Sequence, residues 1–409
     1  LRILRAVRFS AQLGFEIEEE TKRAMKALAP NLKNISQERI QAELNKLLLS
    51  GHPEKLAEAA EMGITAVALP EWDALIGLPQ RNPWHCMDAA EHSLEAARQI
   101  KSDKVLRWAA ILHDIGKPAV HSVTDGCDCY EGHAEKGAEM AKEILRRLKF
   151  DNDTIAKVSK LTRYHAYHFR QRKSSVRRAM SLVGEDLFPG LLELMRADTM
   201  AKSELAMEKY LPAIRELENL HRQILEDGEC FCLPMLEVKG NDLKAAGIQP
   251  GPEIGKLLAQ MLSWVLERPE ENETKWLIQH FTGEITVRIF QPEDAERLSA
   301  LIREDLLEAD GKDDPPEEAE RTAARYSRKY ICWLAEEGRM YVACRGEEIL
   351  GCGAVIPEEG KQLICAVFAA KNARGQGIEE RLAEALETDP MAEKLGGGWE
   401  MKKEAFQNL

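Results

Sequence analysis

No apolar run in this sequence approaches the length needed to span a membrane, and no uninterrupted apolar core follows its first residues, which alternate arginine with apolar side chains. A membrane partner and a secretory signal are therefore not expected. Cysteine supplies no framework either. The nine cysteines are scattered and odd in number. The two close pairs, Cys127-Asp128-Cys129 and Cys230-Phe231-Cys232, lack the C-x-x-C spacing of a zinc or redox site. A reducing cytoplasm is the expected compartment. Positive charge is also in deficit: 56 Lys and Arg stand against 69 Asp and Glu, a formal net charge of −13. That balance argues against indiscriminate nucleic-acid binding and leaves room only for a local basic face.

What is present is a long, ordinary soluble composition with an uneven distribution of histidine. At 409 residues, 44% hydrophobic and 31% charged, the chain is too long for one core and suggests three or four modules. Seven of its ten histidines lie between His85 and His168. In the middle of that stretch the apolar run Trp108-Ala109-Ala110-Ile111-Leu112 leads into His113-Asp114-Ile115-Gly116-Lys117-Pro118. An imidazole and a carboxylate thus stand side by side at a helix end stopped by Gly and Pro. His nitrogen and Asp oxygen together suit borderline and hard divalent cations. Alone, a His-Asp dipeptide is an ordinary surface helix end. Here His92 precedes it, and His133, His165 and Asp198 follow.

This arrangement resembles the HD phosphohydrolase family, whose signature is H…HD…H…H…D around x-x-H-D-x-G-K. The resemblance implies one metal held by His92, His113, Asp114 and Asp198. A second would be held by His133 and His165 with Asp114 bridging. His165 is preferred to His168 for the fourth imidazole. The implied chemistry is metal activation of water against a phosphoester, with the metal (Mg, Mn, Ni or Fe) not distinguished. His113, Asp114 and Lys117 are the expected catalytic residues, although Lys117 reads equally as a cation at a helix C-terminus. His85 either assists the site or caps a helix after Pro83, the second being favoured. Periodicity places His92 on the exposed face of its helix, so its role as a ligand comes from the resemblance.

Around this stretch the chain reads as helices. Leu1 to Leu13 is helical with Gly14 as its stop; a second helix covers Glu19 to Leu28; and Ser36 is a plausible N-cap for a third, Gln37 to Leu49. Gly51 to Leu78 continues helical with Leu56, Ala59, Ala60 and Ile64 as a core stripe, His121 to Glu131 is a loop, and a long helix covers Ala201 to Glu226. Arg2, Arg5 and Arg8 recur every three residues as a cationic strip, which alone reads as a solvated face. A second resemblance joins these pieces. Leu1-Arg2-Ile3-Leu4-Arg5-Ala6-Val7-Arg8-Phe9, Leu13-Gly14-Phe15 and Ile35-Ser36-Gln37-Glu38-Arg39-Ile40 are similar to the neck of bacterial tRNA nucleotidyltransferases (CCA-adding enzymes) and their poly(A) polymerase relatives. Leu236-Glu237-Val238-Lys239-Gly240-Asn241-Asp242-Leu243 and Pro250-Gly251-Pro252-Glu253-Ile254-Gly255 resemble the tRNA-binding tail of the same enzymes. The resemblance implies tRNA as partner, with ATP and CTP as substrates of the complete parent enzyme.

It also implies a catalytic head, with a Gly-Gly turn and a strand-borne Asp-x-Asp pair, before Leu1. No substitute is found. Asp151-Asn152-Asp153 lies between helices, where Asp153 reads as an N-cap, and Gly396-Gly397-Gly398 has no acidic pair after it. Nucleotidyl transfer by this chain alone is therefore not expected. Between the ligands runs a basic segment, with Arg170, Arg172, Lys173, Arg177 and Arg178 near Tyr164, Tyr167 and Phe169. Together with Arg2, Arg5, Arg8 and Arg39 it is the candidate RNA surface, against the plainer reading of solvated helix faces.

After Gly283 the texture changes to strands at Ile285 to Phe290, Met340 to Cys344, Ile349 to Ile356 and Leu363 to Phe368, followed by Arg374-Gly375-Gln376-Gly377-Ile378-Glu379 and a helix. Strand, glycine turn and helix N-terminus form an anion cradle. This portion resembles a GNAT acetyltransferase. The resemblance implies acetyl-CoA at Arg374, Gly375 and Gly377, although Glu379 stands where a small residue is usual, so a degenerate or truncated domain is as well supported as an active one.

The expected fold is mainly α (neck, HD-domain and tail helices) followed by a small α/β GNAT-like domain. The expected division is 1–78 neck, 79–200 metal-dependent phosphohydrolase, 201–283 tRNA-binding tail and 284–409 partial GNAT-like domain. The competing readings are a stand-alone HD phosphatase or phosphodiesterase acting on a small nucleotide, and an RNA-binding module without chemistry. The oligomeric state is not set by these features.

Overall fold

The computed structural model describes residues 1–124, 126–309, 324–346, 348–358, 361–370, 373, 377–388 and 400–401. It divides into two compact units, Leu1–Cys232 and Leu233–Leu409. The fold class is the expected one, helices first and a small α/β portion last.

The first unit contains helices α1 (Arg2–Leu13), α2 (Glu19–Leu28), α3 (Gln37–Leu48), α4 (Leu56–Glu61), α5 (Thr65–Ala68), α6 (Pro70–Asp73), α7 (Ala89–Gln99), α8 (Lys104–Leu112), α9 (Lys117–Val120), α10 (His133–Arg147), α11 (Asn152–Tyr164), α12 (Lys173–Val183), α13 (Phe188–Met200) and α14 (Glu204–Glu226). Gly14 ends α1 in the left-handed region, with φ 70°, as a helix stop requires. Ser36 occupies the N-cap position of α3 without a side-chain capping bond. Helix α1 lies against α3 through Leu4, Val7 and Ala11 on one side and Ile40, Leu44 and Leu47 on the other, all fully buried.

Several local expectations change. The Gly51 to Leu78 stretch is helical but divided into three short helices, and of the expected stripe Leu56, Ala59 and Ile64 are buried while Ala60 is half-buried. Gly63, at φ 69°, and Pro70, at the start of α6, break the run. The His121 to Glu131 loop carries a small hairpin, β1 (Ser122–Thr124) antiparallel to β2 (Cys127–Cys129). Asp151, not Asp153, caps α11: its Oδ1 accepts the Thr154 backbone N–H at 2.8 Å. The helix expected from Ala201 starts instead at Glu204, behind the N-cap Ser203.

The core of this unit is a packing of α7, α8, α10, α11 and α13. Trp108 of α8 is buried edge-on against Phe150 and donates its indole N–H to Asn45 at 2.6 Å. Helix α7 packs against both α8 and α13, so His92, Ser93, Leu94, Ala96 and Ala97 are all buried. That two-sided burial is why a one-face periodicity misplaced His92. The turn from α8 to α9 presses directly on α10: a Cβ at Gly116 would meet the His133 carbonyl oxygen at 2.2 Å and the Gly137 nitrogen at 2.5 Å.

The second unit begins with helices Gly240–Ala245, Pro252–Glu267 and Thr274–Thr282. Pro252 opens its helix, and Leu257, Met261 and Val265 form its buried stripe, while Leu262, which the helical spacing also places on that core face, is only half-buried. A five-stranded sheet follows in the order β3 (Ile285–Ile289), β4 (Arg339–Arg345), β5 (Glu348–Glu358), β6 (Lys361–Ala369), β7 (Glu400–Met401). All neighbours are antiparallel except β6 and β7. Alternation decides the faces. Met340, Val342 and Cys344 pack with Leu298, Ile302, Ile331 and Leu334 from helices Asp294–Ala309 and Arg328–Glu337. Ala343 and Leu350 pack with Ile378 and Leu382 from helix Ile378–Glu387 on the other face.

Candidate metal centre

Four imidazoles and two carboxylates meet inside the first unit. His92 comes from the middle of α7, His113 and Asp114 from the residues just after α8, His133 from the first position of α10, His165 from the residue after α11, and Asp198 from near the end of α13. His92 is 1% exposed, His113 0%, Asp114 2%, His165 5% and Asp198 7%. His133 is partly buried. Helix α7 is aimed by a capping box in which Asp88 accepts the Glu91 backbone N–H at 2.8 Å and Glu91 accepts from Asp88.

The ring orientations follow from local bonds. His113 Nδ1 lies 2.7 Å from the Ala110 carbonyl oxygen, His133 Nδ1 2.7 Å from that of Tyr130, and His165 Nδ1 2.7 Å from that of Thr162. Each is a bond to the residue three positions earlier, so each ring folds back onto its own turn. His92 Nδ1 lies 3.1 Å from the Ala201 carbonyl oxygen. A carbonyl can only accept, so each Nδ1 is the protonated nitrogen, and in the neutral ring each Nε2 is a lone pair.

Those lone pairs converge. His92 and His113 Nε2 are 3.3 Å apart, as are His133 and His165 Nε2. Asp114 stands between the two pairs and divides its oxygens. Its Oδ2 faces His113 at 3.2 Å and His92 at 3.6 Å, and its Oδ1 faces His133 at 3.5 Å and His165 at 3.7 Å. Asp198 Oδ1 closes the first pair, 2.9 Å from His92 Nε2 and 3.6 Å from His113 Nε2. The donor atoms of His92, His113 and Asp198 lie within 4.8 Å of one another, as do those of His113, Asp114 and His165. Acceptors aimed at acceptors in a buried place need a cation or an added proton among them. This donor set fits a divalent metal, with carbonyl-held imidazoles as its nitrogen ligands.

The proton balance shows the same pull. Burial opposes charge on His113, yet Asp114 and Asp198 raise its pKa to about 9. Burial lowers His92 against the pull of Asp198, and lowers His133 to about 4. Burial would also raise both carboxyls. His113 and Lys117 instead hold Asp114 well below its ordinary value, and Lys202 with His113 and His92 does so for Asp198. A proton and a metal compete for the same lone pairs.

Two lysines back the carboxylates. Lys117 Nζ is 2.7 Å from Asp114 Oδ2, and Lys202 Nζ is 2.7 Å from Asp198 Oδ2. Lys117 is 5% exposed and opens α9, so it does not act as a cation at a helix C-terminus; it also donates to Gln80 and faces the Tyr130 ring. Lys202 and Gln80 were missed by sequence reasoning. The i,i+4 spacing of Asp198 and Lys202 was the available signal. His85 is not a helix cap, since Asp88 holds that position; its ring stands edge-on to His92, with centroids 5.3 Å apart. His168 is exposed and outside the cluster.

The candidate RNA residues are placed unevenly. Arg2, Arg39, Arg170, Arg172 and Arg178 are exposed. Arg5 and Arg8 converge on Glu43 at 3.2 and 3.3 Å, and Arg8 is buried over the Phe9 ring. Lys173 pairs with Asp227 at 2.6 Å and Glu229 at 2.8 Å, and Arg177 is buried against Glu229. In the second unit Gly377 adopts φ 73° at the start of the Ile378–Glu387 helix, with Glu379 and Glu380 in its first turn. Arg374 and Gly375 lie outside the described residues.

Three family models match parts of the chain. Residues 14–76 match the family described as "Probable RNA and SrmB- binding site of polymerase A", residues 84–203 match the HD domain family, and residues 300–397 match the acetyltransferase (GNAT) family. The chain is 32% identical over 277 residues to the A-adding tRNA nucleotidyltransferase of Deinococcus radiodurans, covering 63% of this chain and 62% of that protein. It is also 32% identical over 277 residues to the CC-adding tRNA nucleotidyltransferase of Thermus thermophilus, covering 64% and 61%. The chain thus spans about three-fifths of the length of these curated relatives. Among solved structures, the CCA-adding enzyme of Bacillus stearothermophilus in complex with CTP aligns at 22% identity and a TM-score of 0.45, over 68% of this chain and 61% of that one. The chain is homologous to tRNA nucleotidyltransferases and contains an HD domain.

Proposed function

We propose that the cluster is a two-position divalent-metal centre that hydrolyses phosphoesters, within a chain whose flanking helices hold tRNA. One observation carries the reading: four Nε2 lone pairs, each with its tautomer set by a carbonyl, face one another and two ionised carboxylates. His92, His113, Asp198 and Asp114 Oδ2 would hold one ion; His133, His165 and Asp114 Oδ1 would hold the other. Nitrogen-rich ligation favours Mn, Fe or Ni over Mg. Such ions polarise a phosphoryl oxygen and lower the pKa of bound water.

The protein supplies the rest. The Nδ1–H bonds to Ala201, Ala110, Tyr130 and Thr162 fix ring orientation. Lys117 and Lys202 keep Asp114 and Asp198 ionised and each has further N–H donors for phosphate oxygens. Residues 1–78 and 201–283 are assigned to tRNA, 79–200 to hydrolysis and 284–409 to the GNAT-like portion, with Arg2, Arg39, Arg170, Arg172 and Arg178 as the exposed phosphate contacts. No nucleotidyl transfer is assigned to this chain alone. Its Asp151-Asn152-Asp153 opens a helix, with Asp151 engaged as N-cap and Asp153 beside Lys157.

The test is elemental analysis of the purified chain after reconstitution with Mn, Ni or Mg, alongside hydrolysis of an aryl phosphodiester and a 2′,3′-cyclic nucleotide. Stoichiometric transition metal and metal-dependent turnover are expected. Wild-type protein that takes up no metal would sink the reading.

A further inference from the structure

Beside the cluster, Asn82 settles the protonation of a fifth imidazole. Asn82 Oδ1 lies 3.0 Å from the Trp84 backbone N–H, so that atom is the amide oxygen. His85 Nδ1 lies 2.9 Å from the same oxygen and therefore donates to it. In the neutral ring His85 Nε2 is then a lone pair. That atom is buried and has no hydrogen-bond partner among the described residues. The ring's edge-on approach to His92 places it next to the cluster. Buried acceptors are normally satisfied, and this one meets no donor among the described residues.

We propose that His85 is a specificity residue of the centre: its Nε2 accepts a hydrogen bond from a hydroxyl of the bound phosphoester. The proposal rests on the reading of the cluster as a metal phosphoesterase. The donor and acceptor inventory carries it. Lys117 and Lys202 can only donate, and so can meet only the acceptor oxygens of a phosphate. Metal ions at the six ligands would likewise take anionic oxygens. His85 alone in this set asks for a donor. A matching ligand carries an O–H close to its phosphate, as a ribose phosphate with a free neighbouring hydroxyl does and an aryl phosphate does not. A site built to bond a hydroxyl rejects the analogue lacking it, because its own polar group is left unpaired.

The test compares adenosine 3′-monophosphate with its 2′-deoxy counterpart, by calorimetric binding to the metal-loaded full chain. Metal content is measured in the same samples. Wild type is expected to bind the ribo form about tenfold more tightly. H85F should bind both equally, and H85Q, whose amide oxygen can accept, should retain part of the preference. Equal affinities in wild type, or a preference that survives in H85F, overturn the proposal while leaving the metal centre intact. So does metal-loaded wild type that binds neither nucleotide. Wild type without metal overturns the reading beneath it as well. Should H85F fail to fold, the wild-type ratio and H85Q still decide.

Discussion

Replacing Asp114 with Asn removes one charge and almost no volume from the point on which the cluster converges. Asp114 is 2% exposed and Lys117, whose ammonium sits 2.7 Å from Oδ2, is 5% exposed. The amide leaves that ammonium buried without a counter-charge, and its NH2 has no lone pair to offer a metal shared with the imidazole pair it would face. Removing one partner of a buried ion pair costs about 3–5 kcal/mol. With a urea slope of roughly 2–3 kcal/mol per molar, the midpoint of the metal-free variant should fall by about 1–2.5 M. Metal widens the gap. A site saturated at a thousand times its dissociation constant stabilises wild type by about 4 kcal/mol, and a variant that cannot hold metal gains nothing. Urea titrations followed by circular dichroism, run on both proteins after chelation and after reloading, read both effects. An Asp114→Asn variant that loads metal with wild-type stoichiometry would refute the bridging role. One that unfolds at the wild-type midpoint without metal would refute the buried pair.

Three further outcomes are expected. Gly116→Ala forces a methyl group against the His133 carbonyl and the Gly137 nitrogen; it should destabilise the unit by about 1–3 kcal/mol and halve metal stoichiometry by moving His133 from Asp114, and elemental analysis showing full loading would contradict this. Neutralising Arg170 and Arg172 should each flatten the salt dependence of tRNA binding by roughly one unit, whereas Arg177→Ala should lower thermal stability through its buried pair with Glu229 and leave the slope unchanged; filter binding across a salt series separates the two. His280 is held down to about 4 by burial, then by Arg345 and Arg268. Its folded pKa lies below the unfolded value near 6.5, so its contribution is present above pH 6.5 and is lost as pH falls toward 4. His280→Phe should reduce that acid sensitivity, and an unchanged pH–stability curve would show that His280 does not report the buried environment.

Much of the outline was legible in one dimension because it depends on short-range rules. The stop at Gly14, the strand alternation from Met340 to Cys344 and the proline at the start of the Pro252–Glu267 helix are local preferences that the fold keeps. The six residues that converge in the first unit were singled out in one dimension by their type and their order along the chain, through the resemblance to the HD family. Where the chain misled, several elements acted on one residue at once. His92 sits on the face that periodicity leaves exposed, yet α7 is covered by both α8 and α13. The acids that neutralise Lys173 and Arg177 lie more than fifty positions away at Asp227 and Glu229, so a local charge count could not find them. His85 looked like a cap because the true cap, Asp88, is three residues later and its box with Glu91 was not read.

The sequence alone therefore determined which groups are available: four imidazoles, two carboxylates, a lysine after the His-Asp pair and a surplus of helices to carry them. Tertiary structure decided which atoms of those groups face one another. The carbonyls that hold each Nδ1, the division of Asp114 between two histidine pairs and the placement of Lys202 behind Asp198 are all consequences of how helices α7, α8, α10, α11 and α13 stack. Residue type sets what a side chain can donate or accept. Only long-range packing decides whether that capacity is spent locally, left to water or turned inward on a shared centre.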